Sequence, residues 1–108
     1  MEYKVDKRIK PYVLKELYGY CKNKNWLSKF DNEIESRDIR VIRQNVDAIE
    51  RVLDYLDDLD KEAFDLMFNR RISQKEALAY GISYDVYYRT RRKIIYYTAY
   101  ELDLNLRR

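Results

Sequence analysis

Hydrophobic side chains recur every three or four residues along most of the chain, which is the spacing of one face of an α-helix. The clearest run consists of Ile39, Ile42, Val46, Ile49, Leu53 and Leu56. It predicts a long helix over about 37–57. We expect this aliphatic seam to pack against other helices of the same chain. The alternative is a contact between two copies in a homodimer, as in a coiled coil.

Shorter periodic stretches precede that helix. Pro11 suits the first turn of a helix, and apolar residues continue the helical spacing to about Lys22. The run 23–25 (Asn-Lys-Asn) is typical of a turn. A short second helix is then predicted from Trp26, Leu27, Phe30 and Ile34. The chain thus divides into an N-terminal helical segment (1–36), a central helix (37–58) and a C-terminal segment (59–108).

The C-terminal segment carries signals for several helix starts. Asp60 is a candidate N-cap, and Leu59 and Phe64 have the spacing of a hydrophobic staple around it. Ser73 and Glu76 have the spacing of a capping box, which opens a short helix. Three consecutive helices with short joints are therefore expected here.

The last two of these helices have the sequence features of a helix-turn-helix. Ala77 is small enough for two helices to approach closely, and Gly81 tolerates the positive φ of a tight turn. Ile82 is expected to seal the corner beneath the turn. Ser83 is placed to cap the following helix and to contact a phosphate. That helix begins near Tyr84.

The helical spacing of this last helix separates an inner face from an outer face. The inner face contains Tyr87, Thr90, Ile94 and Thr98. The outer face contains Tyr84, Asp85, Tyr88, Arg89, Arg92 and Lys93, with Arg91 flanking it. Arginine and tyrosine on such a face suit contacts to bases and phosphates of DNA. Arg70 and Arg71 precede the unit and are candidate contacts to the DNA backbone.

Composition narrows the class of protein. The chain has 108 residues with only 2 Gly and 1 Pro, which favours an all-α fold over a β-fold rich in turns. It has no His and one Cys, Cys21, so histidine catalysis, zinc fingers and disulfide frameworks are excluded. An enzyme, a cofactor and a metal site are not expected. No apolar run reaches about 20 residues and no signal peptide is visible, so a cytoplasmic protein without a membrane span is expected.

Charge is distributed unevenly along the chain. Residues 1–30 contain 8 Lys/Arg and 3 Asp/Glu, and residues 66–108 contain 9 and 4. Residues 31–65 contain 5 Lys/Arg and 12 Asp/Glu. A polyanion such as DNA would therefore be attracted to the two ends and repelled by the middle. The acidic middle is a candidate contact for RNA polymerase, and the simpler alternative is a solvated surface.

From Asp60 onward the sequence resembles the C-terminal helix-turn-helix of sigma factors, and it is most similar to RinA/ArpU-type late transcription regulators of phages that infect Gram-positive bacteria. The residues that carry this resemblance are Lys61-Glu62-Ala63-Phe64, Phe68-Asn69-Arg70-Arg71, Gly81-Ile82-Ser83, Tyr88-Arg89, Arg91-Arg92-Lys93-Ile94-Ile95 and Ala99-x-x-Leu102. The opening Val13-Leu14-Lys15-Glu16-Leu17 is also similar. The sequence departs from the family at Tyr87, Thr90 and Thr98, where aliphatic residues are usual.

The resemblance implies a cytoplasmic regulator in the host cell that binds double-stranded DNA and activates late phage genes. On this resemblance the family's recognition helix would present Tyr84, Asp85, Tyr88, Arg89 and Arg92 to the major groove. A homodimer on paired half-sites is then expected, with RNA polymerase as a further candidate partner. Two other interpretations are a DNA-packaging factor similar to a small terminase subunit and a helical inhibitor of a host protein that does not bind DNA.

Overall fold

The computed structural model describes residues 3–29 and 36–107 of the chain. Within these ranges the protein contains helices and no strand, so the predicted all-α class is confirmed. The α-helices are α1 (Lys10–Leu27), α2 (Arg37–Tyr55), α3 (Asp58–Phe64), α4 (Gln74–Ala77) and α5 (Tyr84–Arg107). A π-helical turn (Asp65–Asn69) extends α3, and a 3₁₀ turn (Leu78–Tyr80) extends α4.

Helix α1 is longer than predicted. It passes without a break through the residues 23–25 and ends at Leu27, so the predicted turn at this place is wrong. Tyr20 and Leu27 are both buried, and their burial on one face holds the last two turns in helical form. Trp26 and Leu27 therefore end α1 and do not begin a second helix. The other two residues of that predicted helix, Phe30 and Ile34, lie outside the described residues.

Helix α2 agrees with the predicted long helix to within two residues at its C-terminal end. The hydroxyl of Ser36 caps it by accepting a hydrogen bond from the Ile39 amide at 3.2 Å. The predicted aliphatic seam faces the core of the same chain, with four side chains buried and two partly buried. It consists of Ile39, Ile42, Val46, Ile49, Leu53 and Leu56. The four buried side chains are covered within the same chain and are not accessible to a second copy, so a dimer contact at this seam stays a prediction for Ile42 and Leu53 alone.

Helix α3 begins three residues earlier than the predicted cap implies. Its N-cap is Asp57, whose carboxylate accepts a hydrogen bond from the Asp60 amide at 2.8 Å. Leu59 is 77% exposed, so the predicted hydrophobic staple does not form. The π-helical turn that follows buries Met67 and Phe68, and these two side chains connect α3 to the core.

Side chains from all three predicted segments meet in one hydrophobic core. Val13 and Leu17 come from α1, Ile49 from α2 and Ile94 from α5, and each is nearly inaccessible to solvent. The C-terminal part of α5 also buries Glu101, whose carboxylate binds the Arg51 guanidinium at 2.8 Å and accepts a hydrogen bond from the Tyr55 hydroxyl. The helix-turn-helix is thus built onto the N-terminal helices and does not stand apart from them.

Candidate nucleic-acid interface

The turn between α4 and α5 has the geometry that the sequence predicts. Ser73 and Glu76 form the capping box of α4, with both reciprocal hydrogen bonds present. Ala77 is completely buried, and its carbonyl accepts a hydrogen bond from the Ile82 amide at 3.1 Å. Gly81 has φ +79°, a backbone conformation that an L-residue with a side chain adopts only at a cost. These residues therefore form a tight, well-bonded turn.

Helix α5 is seated by its inner face as predicted. Thr90, Ile94 and Thr98 are buried, and the Thr98 hydroxyl donates to the Ile94 carbonyl at 2.7 Å. Tyr87, at which the sequence departs from the family it resembles, is buried too, and its hydroxyl donates to the Ile72 carbonyl at 3.4 Å. Burial raises the pKa of the Tyr87 hydroxyl, which stays protonated as this bond requires.

The outer face of the first turns of α5 is open to solvent. Tyr84 is 57% exposed, and Asp85, Arg89 and Arg92 are also exposed. Tyr88 is partly buried, because its ring packs 4.8 Å from that of Tyr84 and its hydroxyl donates to the α4 side chain of Gln74. Among the described residues neither Arg89 nor Arg92 has an ion pair. Their guanidinium groups are the exposed positive charge of this face.

The cap residue Ser83 has a local role. Its hydroxyl accepts a hydrogen bond from the Val86 amide at 3.4 Å, and its carbonyl accepts one from the Tyr87 amide at 2.9 Å. The predicted capping function is confirmed by these contacts. The contact of Ser83 with a phosphate stays a prediction.

Two predicted DNA contacts instead bind an aromatic side chain of α1. Arg71 donates to the Tyr18 carbonyl at 3.2 Å and lies 5.2 Å from the centre of the Tyr18 ring. Arg91 donates to the Tyr18 hydroxyl at 3.3 Å and lies 5.5 Å from the centre of the Phe68 ring. Cation–π contacts of this kind fix both arginines against the body of the protein. Both side chains thus connect α1 to the helix-turn-helix, and their contacts with DNA stay predictions.

Two further predicted contacts form ion pairs within the chain. Lys93 lies 2.7 Å from the Asp60 carboxylate, and both side chains are partly buried. This hydrogen bond raises the pKa of the Lys93 ammonium and keeps it charged. Arg70 lies 3.2 Å from the Asp65 carboxylate, with both groups largely exposed, so this pair is weak and can open. Of the predicted cations, Arg89 and Arg92 are the exposed ones for which the structure gives neither an ion pair nor an aromatic contact among the described residues.

The structure adds a group of cations that sequence reasoning does not place at the interface. Lys4, Lys7, Lys10 and Arg92 line one depression of about 320 Å³. The N-terminal segment lies beside this depression because the Tyr3 ring packs against those of Tyr96 and Tyr97 in α5, at centroid distances of 5.5 and 5.9 Å. The run of lysines in residues 1–10 is the signal that could have found them, since a basic N-terminal arm is a known form of nucleic-acid contact.

Other kinds of site find no support in the residues that the structure describes. In residues 3–29 and 36–107 there is no group of three or more His, Cys, Asp or Glu side chains that could hold a metal ion. No helix in the same ranges is long and apolar enough to cross a membrane. Comparison of the chain with family models, curated proteins and solved structures gave no match.

Proposed function

We propose that the protein binds double-stranded DNA sequence-specifically through the first turns of α5 and regulates transcription. The observation that carries this proposal is the exposure of Arg89 and Arg92 on the outer face of a helix that a tight, capped turn holds in place. A helix held in this way can enter the major groove, where an arginine contacts guanine with two hydrogen bonds. Tyr84 and Asp85 lie on the same exposed face and would contribute to base or backbone contacts.

The N-terminal lysines supply the second part of the interface. Phosphate contacts provide most of the affinity of a DNA-binding protein and make that affinity dependent on salt. Lys4, Lys7 and Lys10 adjoin Arg92, so a DNA backbone that follows α5 would meet them next. In this proposal Arg89 and Arg92 provide sequence specificity and the three lysines provide affinity.

The biological setting follows from the sequence resemblance. Similarity to RinA/ArpU-type regulators supports activation of late phage genes in a bacterial host. With most of the aliphatic seam of α2 inside the core, a homodimer on paired half-sites would need a surface beyond it. The acidic α2 and α3 surface stays a candidate contact for RNA polymerase.

A second candidate is an interaction protein that binds a host protein and not DNA. Its support is a set of exposed apolar side chains beside the turn, namely Leu59, Leu78 and Tyr80. Exposed aromatic and aliphatic residues of this kind are typical of protein-binding surfaces. DNA binding ranks first because this surface adjoins exposed arginines.

The test is selection from a random duplex-DNA library at two salt concentrations, with two variants compared. Arg89→Ala with Arg92→Ala removes the proposed specific contacts. Arg37→Ala with Arg40→Ala is the matched control, because these arginines are also exposed and three residues apart on a helix. Each arginine–guanine pair contributes ~1–3 kcal/mol, so the first variant should lose the enriched motif and bind the selected sequence at least about thirtyfold more weakly.

The control variant should retain the motif, and both variants should keep the helical circular dichroism of the parent protein. Equal binding by the two variants would contradict the assignment of α5 to the major groove. Absence of binding by the parent protein at both salt concentrations would refute DNA binding and favour the protein-binding alternative.

The lysine arm has its own expected result. Replacing Lys4, Lys7 and Lys10 together by alanine should weaken binding to every DNA sequence by a similar factor. The slope of log affinity against log salt should decrease by about 0.9 for each phosphate that the variant no longer neutralises. An unchanged slope would remove the arm from the interface and leave the assignment of α5 unaffected.

A further inference from the structure

A cavity of about 680 Å³ lies between the C-terminal half of α1, the start of α2 and the segment that follows α3. Its volume is within the range of ~300–1,000 Å³ that is usual for small-molecule sites. None of the exposed α5 residues or N-terminal lysines proposed above to contact DNA lines it. Its chemistry can therefore be considered independently of DNA binding.

Helix α1 presents a mixed aromatic and cationic face to this cavity. Lys22, Trp26 and Lys29 are spaced by four and three residues, so they fall on one side of the helix and its final turn. Tyr18 precedes them by four residues and lines the same cavity. An aromatic surface between two ammonium groups suits a planar ring that carries a negative charge.

The opposite wall adds a third cation in a strained backbone conformation. Arg71 has φ +55°, and among the described residues other than glycine it alone has a positive φ. Its contacts with Tyr18 hold the guanidinium at the cavity wall. This conformation ends the helical turn 65–69, where the Ile72 amide donates back to the Leu66 carbonyl at 2.9 Å, and it sets the direction in which Arg71 leaves the backbone. Among the described residues that line the cavity there are three cations and no carboxylate.

One residue of the lining holds a hydrogen-bond acceptor without a partner among the described residues. The Asn69 side chain lines it, and its amide nitrogen donates to the Asp65 carboxylate at 2.9 Å. The Asn69 Oδ1 atom is buried and has no hydrogen-bond partner among the described residues. A buried acceptor without a partner costs free energy, which a ligand with an N–H group would recover.

We propose that this cavity binds a nucleoside phosphate as a free small molecule. The base stacks on Trp26, the phosphate binds Lys22, Lys29 and Arg71, and an amino group of the base donates to Asn69. A nucleotide combines a planar ring, hydrogen-bond donors on its edge and a multiply charged anion, and these three features together match the lining. A nucleotide bound in the cavity would act on α5 through Tyr18, whose hydroxyl accepts the hydrogen bond from Arg91.

The chain contains its own probe for this site, because Trp26 is the single tryptophan. Titration with adenosine 5′-triphosphate or guanosine 5′-triphosphate should quench its fluorescence to saturation, with a Kd below about 1 mM. Adenosine alone and inorganic phosphate alone should each bind at least about tenfold more weakly, because each supplies one half of the contacts.

Two variants separate the site from general charge effects. Lys22→Ala with Lys29→Ala should weaken binding about tenfold or more. Lys15→Ala with Lys61→Ala is the control, since it removes the same charge from exposed positions outside the cavity and should leave the Kd unchanged. Calorimetry on Trp26→Phe, which keeps a ring, should still detect binding, whereas Trp26→Ala should bind about tenfold more weakly.

Three results would overturn the proposal. They are an absence of saturable quenching at millimolar nucleotide, equal weakening by the two lysine variants, and equal affinity for inorganic phosphate and nucleotide. A single-stranded hexanucleotide that displaced the nucleotide and bound much more tightly through the same lysines would reassign the site to an unpaired base of a strand. DNA binding through α5 is measured separately, so its failure would not produce any of these results.

Discussion

The first and last turns of α5 belong to one continuous helix, and yet they have opposite surroundings. Up to Arg92 the outer face is exposed and its cations have no ion pairs among the described residues. After Arg92 the surroundings change. Lys93 forms an ion pair with Asp60, and farther along the helix Ile94 and Glu101 are buried in the core. The core half therefore fixes the direction of the exposed half, and the two halves should respond differently to mutation.

The largest difference should come from truncating one side chain in each half. Ile94 is inaccessible to solvent, so Ile94→Ala should lower the free energy of unfolding by about 2–5 kcal/mol. Tyr84→Ala, on the exposed half, removes the ring contact with Tyr88 and should change it by less than about 1.5 kcal/mol. Urea unfolding monitored by circular dichroism measures both. Similar losses at the two positions would show that the exposed half is also part of the core.

The next largest effect concerns the turn that joins α5 to α4. Gly81→Ala should destabilise the fold by about 1–2 kcal/mol, because the backbone φ of +79° is unfavourable for a residue with a side chain. The added methyl group would meet no atom within 4 Å, so the effect would come from the backbone alone. The control is Gly19→Ala in α1, where the methyl group meets only the movable Asn23 side chain at 3.3 Å. This change should stabilise the helix by up to about 1 kcal/mol. Thermal unfolding should show the melting temperatures of the two variants shifted in opposite directions.

The boundary between the halves lies between two adjacent cations. Lys93→Ala removes a partly buried ion pair and should lower stability by about 0.5–1 kcal/mol with little effect on DNA affinity. Arg92→Ala should do the reverse, since this side chain is exposed. Measuring the unfolding free energy and the DNA affinity of each variant tests this division. If both variants lost DNA affinity equally, the boundary would have to be moved towards the C-terminus of α5.

The smallest expected effect is that of pH. The chain has no histidine, so DNA affinity should be nearly constant from about pH 6 to pH 8. The raised pKa of Lys93 means that its ion pair stabilises the folded state fully below the ordinary lysine pKa of about 10.4. That contribution is lost only as the pH rises through the still higher pKa of the folded state. A pH titration of DNA binding and of the unfolding free energy checks both points.

Features set by neighbouring residues could be predicted from the sequence. The capping box of Ser73 and Glu76, the positive φ of Gly81 and the inner face of α5 all depend on spacings of a few residues. The length of α2 follows in the same way from its hydrophobic period. These elements were predicted correctly because each has a local physical cause.

Features set by distant partners could not be predicted in this way. Residues 23–25 have the composition of a turn, but burial of Leu27 keeps them helical. Arg71 and Arg91 have the charge and the position expected of DNA contacts. Both nevertheless bind Tyr18, which lies more than fifty residues earlier in the chain. Spacing along the chain contains no information about which aromatic ring an arginine will meet after folding.

The continuity of α5 also has a consequence for how insertions would act on the interface. A helix of 24 residues is about 36 Å long, which compares with a largest dimension of 45 Å for the described chain. Successive residues of an α-helix are rotated by about 100° around its axis. If the core half kept its place, one residue inserted after Lys93 would therefore rotate Arg89 by about 100° from its present direction. The direction in which the exposed arginines point is thus set by the number of residues between them and Ile94.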